Sequence, residues 1–156
     1  MAIAPNTTFV TGAVLTAAQQ NAFGFGICAL TTKTTNNALT TTETNFMTAT
    51  FTALANRYYK ITYYTPYVGN NNGAGDDNFT FTIRNGSTTA ATQLQLALVN
   101  IAFGKNIGPQ TIVAVTTFTA GSQTVGAFCK IGAGVGTGVG TATSPQILLV
   151  EDIGPA

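Results

Sequence analysis

Along much of its length this chain alternates apolar and polar side chains, and a period of two belongs to the β-strand. Phe79, Phe81 and Ile83 alternate with Thr80, Thr82 and Arg84. Met47, Ala49, Phe51 and Ala53 alternate with Phe46, Thr48, Thr50 and Thr52, so the first set is expected to face a core. Leu94, Leu96 and Leu98 fall on one face in the same way. Leu, Gln and Ala would tolerate a helix there, but strict alternation favours a strand. Residues 58–64 carry four tyrosines and Ile61, which is β by composition. Ile112 and Ala114 stand against Val113 and Val115, and residues 146–150 form a continuous apolar run suited to a buried central strand.

Turn signals separate these runs. Asn36-Asn37, the Asn/Gly/Asp-rich stretch 69–78, Asn85-Gly86, residues 120–123 and the glycine-rich stretch 132–141 all break the alternation. About eight short strands at regular spacing predict an all-β fold, a β-sandwich or jelly roll. The beginning differs. Residues 1–12 are polar, contain Pro5 and have no period, which predicts an extended arm. Residues 16–23 are the one good helix candidate, with Thr16 as cap and Gly24 and Gly26 to end it. The expected organisation is an arm and short helix over residues 1–23, and a β-sandwich domain over 24–156.

Composition then narrows the function. The chain has 156 residues with a net charge of +1, and only 7% are charged, against about 25% in an ordinary soluble protein. Thirty Thr and thirteen Asn take the place of the missing charges. A surface with so little charge has weak protection against self-association, so burial against partner chains is expected. The absence of His removes the usual general base, the serine-type triad and the commonest zinc ligand. Six Lys and Arg scattered along the chain predict no nucleic-acid partner. No apolar run approaches the roughly 18 residues of a membrane span, so no membrane partner is expected. Residues 1–10 have neither the basic region nor the apolar core of a secretory signal. The Asn-x-Ser/Thr sites at Asn6, Asn78 and Asn85 therefore read as chance in a threonine-rich chain.

Each stretch that invites chemistry has a plainer reading. Residues 132–140 alternate glycine but match neither G-x-G-x-x-G nor a P-loop, and are expected to be a flexible or closely packed loop. Asp76 and Asp77, among the asparagines of the 69–78 stretch, offer hard oxygen ligands and are a weak calcium candidate. Their spacing is not that of an EF-hand loop, and no cofactor or other metal is expected. Asp76-Asp77 and Glu151-Asp152 are adjacent pairs, which a strand points to opposite faces, so neither makes an acid–base couple. Glu151 and Asp152 are expected to end the last strand and to pair with Arg57, Lys60 or Arg84. No enzymatic role is predicted. Cys28 and Cys129 lie in separate strands among apolar neighbours and are expected to be free thiols. Tyr58, Tyr63, Tyr64 and Tyr67 are the candidates for a contact between subunits, because tyrosine joins an apolar body to a polar tip.

Two end segments carry a resemblance. Residues 12–21 read G-A-V-L-T-A-A-Q-Q-N and residues 148–155 read L-L-V-E-D-I-G-P. In this order, with A-T-F-T-A-L-A-N-R-Y-Y-K-I at 49–61 and F-T-F-T-I-R-N-G at 79–86 between them, the chain resembles small structural proteins of tailed bacteriophages. The resemblance runs across nearly the whole chain, and neither end motif is a catalytic signature. It implies a virion protein made in the host bacterial cytoplasm. The role implied first is that of a capsid decoration, or cement, protein: commonly a homotrimer, set on the outer capsid surface and bridging neighbouring capsomers. Its partners would be the major capsid protein and its own copies. Within residues 1–23, Phe9, Val14, Leu15, Gln19 and Phe23 are then the expected capsid contacts. The alternative is a tail- or fibre-associated protein that binds a host surface glycan through exposed tyrosines and the 69–78 stretch.

Overall fold

A computed structural model of the protein describes residues 26–70 and 75–156. The expected arm, the helix at 16–23 and the contact candidates Phe9, Val14, Leu15, Gln19 and Phe23 lie outside the described residues. Within them the fold is all-β and antiparallel. Eight longer strands make the body: β1 (Gly26–Lys33), β3 (Thr44–Ala53), β4 (Arg57–Thr65), β6 (Asp77–Asn85), β7 (Thr92–Ile101), β9 (Gln110–Thr117), β10 (Gly121–Ile131) and β12 (Gln146–Pro155). Four short ones complete it: β2 (Asn37–Leu39), β5 (Tyr67–Asn70), β8 (Asn106–Ile107) and β11 (Gly136–Val139).

The pairing is nested. β6 pairs with β7, β4 with β9, β3 with β10, and β1 with β12. One long antiparallel ribbon, folded at β6–β7 and rolled on itself, gives this pattern and defines a jelly roll. Rolling brings β12 beside β4 and β10 beside β6, which yields two four-stranded sheets, β1-β12-β4-β9 and β3-β10-β6-β7. The short strands form a third sheet, β2-β11-β5-β8.

The core lies between the two large sheets, and alternation puts it there. Met47, Ala49, Phe51 and Ala53 are buried while Thr48, Thr50 and Thr52 are exposed. Phe79, Phe81 and Ile83 face Tyr63, Ile61, Leu148 and Val150 in one continuous cluster. Phe51, Tyr59 and Phe118 pack ring to ring at 5.2–5.6 Å between centroids, within the range favoured by tilted and edge-on aromatic pairs.

Several expectations change on the way. The glycine-rich stretch 132–141 holds the strand β11. Its glycines are there for close approach: a Cβ on Gly136 would stand 2.7 Å from the Phe79 ring, and one on Gly140 would strike the Lys33 carbonyl oxygen. The 69–78 stretch is shorter as a loop than its composition implies, because β5 runs to Asn70 and β6 starts at Asp77. In β7 the face predicted for Leu94, Leu96 and Leu98 is broken. Arg84 pairs with Gln93 and Ile83 with Gln95, so Leu94 is an inserted residue. The insertion reverses the parity beyond it. Leu94, Ala97 and Val99 pack on the core, while Leu96 and Leu98 point outward.

Candidate interaction surface

The last strand fixes the charges first. Leu148 and Val150 enter the core, and the strand continues past Glu151 and Asp152 to Pro155 rather than ending at them. Asp152 turns inward and binds the Nε of Arg57, both side chains being almost fully buried. Glu151 turns outward and meets Lys60 on β4 at 2.6 Å. Arg84 pairs with Glu43 at 2.7 Å. Ile153 is an inserted residue at a bulge, where Gly154 takes a φ of 123° and donates its N–H to Asp152 Oδ1 at 3.0 Å. The segment L-L-V-E-D-I-G-P is thus a structural device. It supplies core side chains, a buried ion pair and a glycine bulge in the strand between β1 and β4.

With six of the eleven charges drawn into these three pairs, the surface is left to uncharged side chains. They sort by sheet. On the outer face of β3-β10-β6-β7, Thr52 stands opposite Ser122 and Thr50 opposite Thr124, whose hydroxyls lie 3.0 Å apart, while β7 at its edge exposes Leu96 and Leu98, the latter to 68%. On the outer face of β1-β12-β4-β9 the rows set aliphatic side chains around threonine and one ion pair. One runs Leu30, Leu149, Thr62, Val113 across the four strands. The next runs Ile27, Glu151, Lys60, Val115. On the other side, Ile147 stands beside Tyr64. Ile27 is 64% exposed, Leu30 56% and Val115 55%. Large aliphatic side chains left in water to this extent cost free energy unless something covers them.

The four tyrosine candidates do not form one surface. Tyr58 and Tyr64 lie on this apolar face and are half-buried. Tyr67 is exposed on β5, opposite Val139. Tyr63 is a correction: it points the other way along β4, is buried, and donates its hydroxyl to Gln146 Oε1 at 2.8 Å. Burial pushes its phenol well above the usual range. A residue in the core is not free to bind a second subunit. Gln146 also accepts from Asn37 Nδ2 at 2.9 Å, so the buried amide is satisfied.

Asp76 and Asp77 also part company. Asp77 is buried and accepts backbone N–H groups from Asn78 and Ala133, each at 2.7 Å, which ties the start of β6 to the stretch before β11. Asp76 is exposed and accepts from Phe103 N at 3.1 Å. Cys28 and Cys129 are unbonded to each other. Burial raises both thiols above their ordinary value, Cys129 far more than Cys28.

Comparison with known proteins adds fold alone. No family model matches the chain, and no curated protein does. Among solved structures the chain is similar to Eiger TNF from S. frugiperda, at 8% identity over 84% of this chain and 94% of that one, with a TM-score of 0.49. It is also similar to the CBM22-1 xylan-binding domain from Paenibacillus barcinonensis Xyn10C, at 12% identity over 85% and 95%, with a TM-score of 0.29. A chain of infectious bursal disease virus, Gx strain, is matched at 11% identity over 85% of this chain and 38% of that one, with a TM-score of 0.37.

Proposed function

We propose that the chain is a structural protein of a tailed-bacteriophage virion, and within that class a capsid decoration protein on the outer surface of the shell. The observation that carries the reading is the apolar outer face of β1-β12-β4-β9, on a surface almost empty of charge. A chain so covered functions with much of its surface buried against other chains, as a shell component does. The two end segments that resemble phage structural proteins support the same reading. On this reading the chain performs no reaction. It adds buried area where neighbouring capsomers would part, and a contact of standard size buries roughly 1,600 Å² in all. Its partner is the major capsid protein, and residues 1–23 supply the anchor.

The test is co-sedimentation of the purified protein with empty capsids, with and without residues 1–23. Saturable binding that is lost on truncation, together with a higher temperature of shell opening, is the expected result. A protein that ignores capsids and binds host-cell glycans would overturn it in favour of a place in the tail.

A further inference from the structure

We propose that the outer face of β1-β12-β4-β9 binds the same face of a second copy of this chain about a two-fold axis, with Lys60 and Glu151 exchanging partners across the contact. A second copy is thereby assigned to the face on which the proposed function rests, whether or not the protein sits on a capsid.

Size permits it. Four strands about 4.8 Å apart, each presenting about seven residues at about 3.3 Å per residue, give roughly 450 Å² in projection. This is the whole face, its threonines and the Lys60–Glu151 pair included. Side-chain relief raises it toward the roughly 800 Å² that one partner gives to a standard interface.

The charge pattern selects the occupant. The face carries one cation and one anion, Lys60 and Glu151, on the two central strands and at the same level, because they are register partners. Consider an axis in the plane of the face, parallel to the strands and midway between β12 and β4. It exchanges β12 with β4 and β1 with β9. Lys60 of each copy then lies across from Glu151 of the other. The same operation sets Leu30 against Val113 and Ile147 against Tyr64, all side chains of the outer face. A face that is neutral, apolar and complementary to itself under one rotation fits a second copy, in an isologous contact. Two such twisted sheets stack with their strands about 30° apart. A two-fold pair departs from the homotrimer that the resemblance implies.

Light scattering and sedimentation equilibrium on the full chain test this. The wild-type protein is expected to be a dimer. Lys60→Glu and Glu151→Lys each place like charges opposite one another and should weaken association about tenfold or more. The double exchange should restore it to within about threefold of wild type, since the pairing is rebuilt with its signs reversed. Val113→Lys should also dissociate the dimer. Leu98→Lys, at a side chain still more exposed to water on the other sheet (68% against 42% for Val113), should leave it intact, and an unchanged circular-dichroism melt in each variant excludes misfolding. A wild-type monomer or trimer overturns the proposal, as does dissociation by Leu98→Lys with none by Lys60→Glu. A dimer that ignores capsids keeps this inference and removes the decoration reading. A monomer whose capsid binding is lost in Val113→Lys does the reverse.

Discussion

The two outer faces of this sandwich are built on the same scaffold and differ in chemistry, threonine leading over β3 and β10 and aliphatic side chains over β1, β12 and β9, although Leu96 and Leu98 on β7 break the rule at one edge. Behind each stands a four-stranded antiparallel sheet with an apolar inner side. Outside, β3 and β10 present threonine, while β1, β12 and β9 present Ile, Leu and Val. Threonine and valine have nearly the same shape and both suit a strand, so the fold is indifferent to which is used. The choice is made outside the fold, by what each face meets. One face is compatible with water without charge, and the other waits for apolar contact.

The largest test strikes the ion pairs that brace each sheet. Asp152→Ala leaves a buried guanidinium without its carboxylate and should destabilise by about 3–5 kcal/mol, read from denaturant unfolding. Glu43→Ala, which removes the carboxylate from the part-buried pair with Arg84 on the threonine-faced sheet, should cost less, about 1–3 kcal/mol. Equal losses would mean the two sheets are braced alike.

The second test uses alkali. Cys129 belongs to the threonine-faced sheet and Tyr63 to the apolar-faced one, and burial raises both acids. The native chain therefore keeps these protons after the unfolded chain has lost them. Stability is fully present below the ordinary thiol value of 9.0 and falls as pH rises through it. The slope is about 1.4 kcal/mol per pH unit for one proton. A steeper slope should begin above the ordinary phenol value of 10.0, when Tyr63 joins. Cys129→Ala should remove most of the first onset, leaving the smaller part due to Cys28, and Tyr63→Phe the second. Identical pH profiles in wild type and both variants would refute the assignment.

The smallest effect on stability should come from erasing the contrast itself. Thr50→Val with Thr124→Val removes one exposed hydroxyl pair and should shift unfolding by no more than about 0.5 kcal/mol. The change belongs in solubility and association, where light scattering should show new, weak self-contact. A large loss of stability with unchanged association would show that the threonines serve the fold.

Much of the body was legible because alternation needs only the local chain. The inward sets of β3 and β6 follow from it directly. Leu96 and Leu98 were misplaced because one inserted residue reverses every side chain after it, and the insertion is fixed by pairing with β6. Tyr63 was grouped with its neighbours by composition, although its position in β4 sets it facing Tyr59 and Ile61 rather than Tyr58 and Tyr64. The apolar face did leave a signal. Residues 112–115 and 147–150 are apolar at successive positions, which reads as a strand buried on both sides. The described residues cover one side only, so the same letters mark a core strand and a contact strand.

The nested pairing also ranks the strand pairs by the length of chain each must close. The innermost hairpin, β6–β7, closes a short loop, and each outer pair closes over a ribbon already shortened by the pairs inside it. β12 belongs to the outermost pair of the nest, with the longest stretch of chain to close, and it separates β1 from β4. Until it arrives, β1 and β4 lack the strand that joins them, and bare strand edges of this kind are templates for aggregation. The face proposed above for a second copy is therefore complete only in chains whose last strand is in place, so on that proposal completion of folding is a checkpoint for assembly.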